Sequence, residues 1–495
     1  MKVSLVLCPN WGTETPHLGI ALLAANLRRH NHDVRVFDLN IRVQRGIQGN
    51  RDIWKTEDDR QWTKAAFTAD FIGEKNATID LFVENILASD AQIIGFSVYS
   101  STYLISLELA RRIKRKDSSK IIVFGGQFCY PKTNAETLAG YECVDIVVTG
   151  EGEDVLIEII DKFEATKKID FCTGIIFKDN GNLVNCGFRE PIMNLDDLPF
   201  ADFSDFTLSI YDNPSQLPVF LSRGCPYTCV FCSTKLFWMR YRAMSGKRVF
   251  KEIEYQMSKY KDVYFFSFND HVVNADMRNL SVLCDLIIDA KSKRKQDNPN
   301  WEKVSWRGAA VLRDGMTMDF LKKMKDAGCV ELEYGAESGS PRVRKLMKKS
   351  PYEGDILEQV IRDTCAVGIG ARVNFMFGFP GETEEDFRET LDFLKRNKDY
   401  FSQVHPSESF CCVDQGTYLF EHPEEFGVIN RYSPLFWHTS DGKNTYPERL
   451  RRHQVFCELA ESLNIPLSPG ASRIKQHKDD LLREYDSYRI SREGQ

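Results

Sequence analysis

No apolar stretch in this 495-residue chain approaches the ~18–20 residues needed to cross a bilayer. The opening segment, Met1 to Cys8, runs into Pro9, Trp11 and Gly12 without the flanks of a signal peptide. It is expected to form the first strand of a cytoplasmic protein with no transmembrane segment. Charge of one sign is also scarce. Lys and Arg number 65 against 71 Asp and Glu, a net charge of −6, which argues against a general nucleic-acid binder. Internal repeats and low-complexity tracts are absent, which excludes solenoids and disordered arrays. What remains is an ordinary globular composition, 42% hydrophobic and 27% charged. The chain is too long for one core, and about 150 residues per domain suggests roughly three units.

Of fourteen cysteines, only three show ligand spacing: Cys225, Cys229 and Cys232, a Cys-x3-Cys-x2-Cys group. The apolar run Leu217 to Leu221 before them reads as a short buried strand, broken into a loop by Gly224 and Pro226. Thiols a few residues apart on a curling backbone can wrap one metal centre. A structural zinc site closes its tetrahedron with four protein ligands. Here no fourth Cys or His lies near the loop, and the next histidine is His271. A cubane iron–sulfur cluster held by three thiolates leaves one iron open. A reduced cysteine group or an incomplete zinc ribbon would use the same residues. The remaining cysteines scatter through apolar runs, where a free thiol behaves as a small core residue, and disulfides are not expected in a reducing compartment.

From the N-terminus, strands are predicted at Lys2–Cys8, Asp33–Asp38, Ala91–Val98, Lys120–Gly125 and Val144–Val148. Helices are predicted at Leu18–Arg29, Leu104–Arg115, Asn134–Leu138 and Asp154–Phe163. This alternation implies a parallel, doubly wound, Rossmann-like sheet, with ligands beyond the carboxyl ends of its strands. Those ends carry Trp11-Gly12, Ser97 and Tyr99, Gly125-Gly126-Gln127 and Gly150-Glu151-Gly152. Glycines and small hydroxyls there let a large planar ligand approach the backbone. Residues 42–90, with Trp54, Trp62 and Phe67, read as packed helix, and Asn180-Gly181 as a hairpin turn. A second alternating series, with strands at Pro218–Ser222, Val263–Phe268, Val304–Ala309, Val330–Tyr334, Ala371–Phe377 and about Gln403–Val413, fits a partial (β/α)6 barrel. The predicted division is 1–190, a linker over 191–216, a barrel over 217–417 and a small, mostly helical region over 418–495. In the last region, helices are predicted at Glu448–Leu463 and Ile474–Tyr485. Its aromatics Tyr418, Phe420, Phe426, Tyr432, Phe436 and Trp437 either cover the barrel mouth or pack the tail onto it.

The cysteine loop resembles the signature of the radical S-adenosylmethionine (SAM) enzymes, whose open iron chelates the amino and carboxylate groups of SAM. Tyr334-Gly-Ala-Glu-Ser-Gly339 and Asn374 to Thr383 are similar to further motifs of that family. The resemblance implies SAM contacts from Phe231, Asp270, Glu337, Ser338, Asn374, Gly378, Pro380 and Gly381. Arg307 is a candidate carboxylate clamp. Pro16-His-Leu-Gly19, Gly125-Gly126 and Thr149 to Glu153 resemble the cobalamin-binding domain of one large subclass. The Asp-x-His-x-x-Gly motif that ligates cobalt from below is missing, so His17 is not expected to bind cobalt. The implied cofactors are a [4Fe–4S] cluster, SAM and cobalamin, with a reductant such as flavodoxin or ferredoxin. The implied activity is methylation of an unactivated carbon on a small-molecule, lipid or peptide substrate. A cobalamin-dependent cyclase or rearrangement is the alternative within the family. A non-catalytic iron–sulfur sensor or scaffold is the alternative outside it.

Overall fold

Both predicted elements Leu18–Arg29 and Asp33–Asp38 form with those bounds in the computed structural model. It describes residues 1–46, 52–54, 59–130, 134–349, 354–429 and 433–493; Tyr432 lies outside them. Contacts divide the chain into two units. One is Met1–Val219 with Leu236–Arg242 and Lys251–Val263, and the other is Phe220–Lys235 with Ala243–Phe250 and Tyr264–Gln495.

In the first unit, β1 (Lys2–Leu7) buries every residue from Val3 onward, as a central strand covered on both faces must. With β2 (Asp33–Asp38), β3 (Ile93–Ser97), β4 (Ile121–Gly125) and β5 (Ile146–Val148) it forms a parallel sheet in the order β2-β1-β3-β4-β5. The order turns between β1 and β3, which is where such sheets bind ligands. A hairpin of β6 (Ile175–Asp179) and β7 (Asn182–Asn185) extends the edge antiparallel. Its turn, Asn180 and Gly181, has φ of 49° and 83°, as a two-residue hairpin requires. Between β2 and β3 the described residues are mostly helical. Trp54, Trp62 and Phe71 meet there edge to face at 4.8–5.8 Å. The acidic, aromatic segment after β7 is tied back onto the same unit. Arg28 pairs with Asp202 and Asp205, the Tyr211 hydroxyl donates to Asp38 at 2.6 Å, and Phe203 and Phe206 are buried.

In the second unit, parallel strands run side by side in the order Gln403–Pro406, Gly370–Phe375, Cys329–Glu337, Ser305–Ala310, Phe265–Phe268. Gln216–Val219, where the chain passes from one unit to the other, is the sixth strand of this open sheet. Burial alternates along the strands. Phe266, Trp306, Leu332, Tyr334, Val373 and Phe375 are fully buried, whereas Ser267, Arg307, Glu333, Glu337, Arg372 and Asn374 are half-exposed. One face is therefore apolar core and the other polar and accessible.

Three expectations shift. The first barrel strand is Gln216–Val219, not Pro218–Ser222. The last ends at Pro406, where the N–H of a next ladder bond is missing, and the chain turns at Phe410 (φ 51°) before Cys411. The final helix begins early, with Pro469 at its first turn, and is followed by a second, Lys478–Glu493. Nine of the eleven cysteines outside the loop are buried. Among the described residues no helix is long and apolar enough to cross a membrane.

Candidate active site

The cysteine loop is fixed at both ends by groups other than its thiols. Before it, Asp270 is buried and accepts from the Leu221 N–H (2.9 Å) and the Ser222 hydroxyl (2.5 Å). Both carboxylate oxygens are thereby committed to bracing the strand that enters the loop, and burial raises its pKa to about 6. Within it, the Val230 N–H donates to Met347 O and Val230 O accepts from the Leu419 N–H, at 3.0 and 2.9 Å. Val230 is buried with Val343, Met347, Phe379 and Trp437, and Phe231 packs against that cluster. The thiols are left at the surface of this anchor, Cys225 and Cys229 half-buried and Cys232 exposed. Burial pushes the Cys225 thiol up and Cys229 to about 11, and the charge of Cys232 works in the same direction on both. Three mutually repelling thiolates need cations to hold them together, which a metal centre supplies.

Glu337 ends its strand at a positive φ of 64°, and its carboxylate accepts from Lys349 Nζ at 3.0 Å. Ser338 is fully buried and engaged with the Thr390 hydroxyl and the Ser340 N–H, so it holds the following turn. Arg307 lies on the half-exposed face, in register with Ser267 and Glu331. Asn374 donates to Glu333 at 2.8 Å, while its Oδ1 is buried without a protein partner.

Gly378, Phe379 and Pro380 are buried under the segment 435–452. Asn444 Nδ2 donates to Gly378 O at 2.8 Å, and the Gly378 N–H donates to Glu382, which pairs with Arg452 at 2.8 Å. Arg449, fully buried, lies 3.9 Å from the Trp437 ring centroid and donates to Asn444 Oδ1, Leu435 O and Trp437 O. A Cβ on Gly378 would come within 2.2 Å of Arg449 Cγ. Gly381 is exposed, with φ 88° and open surroundings apart from Leu346. The two glycines thus serve different ends, the first packing and the second the turn.

At the strand ends of the first unit, Trp11, Tyr99 and His17 form one aromatic group, with ring centroids 4.2–5.6 Å apart. His17 caps the helix Leu18–Arg29. Its Nδ1 accepts from the Ile20 N–H at 3.0 Å, so the Nε2 proton faces the Tyr99 hydroxyl at 2.7 Å. With both nitrogens engaged, the ring has none to offer a metal. Burial lowers its pKa from 6.5 to about 4. The fold holds it neutral, so stability is lost as pH falls from about 6.5 to 4, by at most about 3 kcal/mol. His17→Asn keeps a capping oxygen without the titration. Denaturant midpoints of wild type and H17N, measured at pH 7 and pH 5, should diverge at the lower pH. Parallel curves would contradict the assignment. Gly126 (φ 111°) lets its loop approach Val98 O, which a Cβ would meet at 2.9 Å. Gly12 and Gly150 face open space and Gly125 ordinary contact, with Ser97 and Gly152 half-exposed and Gln127 exposed. Glu151 is used within the unit, paired with Arg242 at 2.8 Å and accepting from the Ile192 N–H.

Residues 219–394 match the model of the Radical SAM superfamily, and residues 59–160 that of the B12 binding domain. The chain is a radical SAM enzyme with a B12-binding domain. An uncharacterized methyltransferase of Pyrococcus horikoshii is 27% identical over 408 residues, 80% of this chain and 78% of the relative. The anaerobic magnesium-protoporphyrin IX monomethyl ester cyclase of Cereibacter sphaeroides is 28% identical over 254 residues, 50% of this chain and 40% of the cyclase. Among solved structures, the cobalamin-dependent SAM radical enzyme OxsB, with aqua-cobalamin and SAM bound, superposes with TM-score 0.63 at 20% identity. It covers 86% of this chain, which spans 56% of OxsB. The radical SAM methyltransferase TsrM of Kitasatospora setae gives 0.64 at 16% identity, covering 93% and 88%. Against the cyclase and OxsB, the chain thus spans about half of the relative's length.

The residues of this radical SAM enzyme fit the cofactors its domains imply. Among the described residues, no group of three or more His, Cys, Asp or Glu is arranged for a single metal ion. Yet the three thiols share one loop and are half-buried or exposed, unlike most of the other cysteines, and so are open to ligate separate irons of one cluster. The orphaned Asn374 Oδ1 offers an acceptor beside the Glu337 strand. In the first unit, Gly12 after β1, at the sheet's switch point, and Gly150 after β5 face open space and leave room for a planar macrocycle. Sequence reasoning missed Lys349, Asn444, Arg449 and Arg452. For these, no motif or spacing marks the position.

Proposed function

We propose that this protein is a cobalamin-dependent radical SAM methyltransferase acting on an unactivated carbon. The observation that carries this reading is one chain with an open-site three-cysteine loop and a B12-binding domain, matching a methyltransferase along 80% of its length. When bound, the cluster and SAM supply a 5′-deoxyadenosyl radical, and cobalamin supplies a methyl group. In this reading Cys225, Cys229 and Cys232 hold the cluster, and Phe231, Arg307, Glu337, Asn374 and the Gly378–Gly381 turn position SAM. Asp270 and Ser338 serve the same site by holding the backbone of the loop and the turn. Trp11, Gly12, Ser97, Tyr99, Gly125, Gly126, Gln127, Gly150, Glu151 and Gly152 border the cobalamin. The electron comes from a flavodoxin- or ferredoxin-type donor, and the substrate is a small molecule, lipid or peptide.

A second reading, cyclisation or rearrangement without methyl transfer, is favoured by the likeness to the anaerobic cyclases. One experiment separates the two. The reduced, cobalamin-loaded enzyme is incubated with metabolite extract and SAM carrying a deuterated methyl group. Methylation is expected to yield a product heavier by one labelled methyl in place of hydrogen. Deoxyadenosine formed without any labelled product would favour the cyclase reading.

A further inference from the structure

Beside the cysteine loop lies a half-buried cation that no part of the reading above uses. Lys349 Nζ is 3.0 Å from Glu337 Oε1, and the two side chains are 18% and 14% exposed. The backbone carbonyl of the same lysine lies 3.8 Å from Cys229 Sγ. That contact places the lysine against the cysteine loop. The chain is shaped around this pair. A Cβ at Gly335 would come within 2.6 Å of Glu337 Oε1 and 2.7 Å of Lys349 Nζ. Glu337 itself is held at a positive φ of 64°, a conformation that a non-glycine residue keeps only when its surroundings impose it. Lys235, the other cation acting on Cys225, is exposed, where water screens its charge.

We propose that Lys349 is a positioning residue for the cluster, its ammonium raising the cluster's reduction potential while fixing the Glu337 carboxylate. The proposal rests on the cluster reading of Cys225, Cys229 and Cys232. Reduction moves one electron from the flavodoxin- or ferredoxin-type donor onto a site already ringed by three thiolates. The added negative charge is stabilised by a nearby cation, so Lys349 favours the reduced state. Glu337 acts in the opposite sense, and its bond to Lys349 holds the cation in place.

The test is a dithionite titration of the anaerobically reconstituted full chain, followed by electron paramagnetic resonance of the reduced cluster. Lys349→Met is expected to move the midpoint to a more negative potential at unchanged iron and sulfide content. Lys349→Arg should stay near wild type, and Glu337→Gln should move the midpoint the other way. A K349M midpoint equal to wild type, or an E337Q shift to more negative potential, would overturn the proposal. Should K349M fail to hold a cluster, the sign of the E337Q shift decides, with no shift counting against it. A wild-type chain that assembles no [4Fe–4S] cluster would instead overturn the reading beneath the proposal.

Discussion

Replacing Cys225, Cys229 and Cys232 together by alanine is expected to abolish bound iron and sulfide and to reduce deoxyadenosine formation from SAM to background. Each thiolate ligates a separate iron in this reading, so the triple replacement removes every protein ligand assigned to the cluster. The fold should survive. The loop is anchored through the Val230 backbone to Met347 and Leu419, and its entrance is braced by Asp270. None of these bonds involves a thiol. Thermal unfolding of the variant, prepared without iron beside wild type without iron, should therefore change little. Iron and sulfide analysis with chromatographic detection of deoxyadenosine makes the check. Persistent SAM cleavage in the triple variant would contradict the assignment of the loop.

Gly378→Ala should produce the largest stability loss of any single change at the site. The residue has φ 69°, and a Cβ would lie 2.2 Å from Arg449 Cγ and 2.6 Å from its Cδ. Left-handed strain and overpacking together cost about 3 kcal/mol. If Arg449 moves aside, its donors leave Leu435 O and Trp437 O, both inside the unit. The unfolding temperature should fall by about 6–12 °C, and SAM should bind more weakly because the turn can no longer sit under Asn444. Gly381→Ala is the comparison. It carries the same kind of strain at φ 88°, but its Cβ would meet only Leu346 Cδ1, at 3.4 Å. Its loss should be clearly smaller, and equal losses would mean that Arg449 is not what requires glycine at 378.

The features that could be read from the chain were those with a short-range signature. Periodic apolar residues place Leu18–Arg29, and three closely spaced cysteines after a predicted strand single out the loop proposed to hold the cluster. What stayed hidden depends on tertiary contact. Asp270 reads as a polar group at a strand end, and only its partners 48 and 49 residues away reveal a brace. Lys349 follows Glu337 by twelve residues, with no pattern joining them. Gly378 reads as a turn glycine, and the arginine that demands it lies in a helix beyond the 219–394 family match. Of the two readings of the aromatics between Tyr418 and Trp437, packing is the one the contacts bear out, with Trp437 buried beside Phe379 and the segment 435–452 holding the turn through Asn444, Arg449 and Arg452.

The most direct measurement is the ultraviolet–visible spectrum of the full chain, purified anaerobically after expression with iron and cobalamin supplied. The account expects iron–sulfur absorption together with the bands of a stoichiometrically retained cobalamin, and only the former should vanish in the triple cysteine variant. A wild-type protein that holds its cluster yet retains no cobalamin, even when offered an excess, would contradict it.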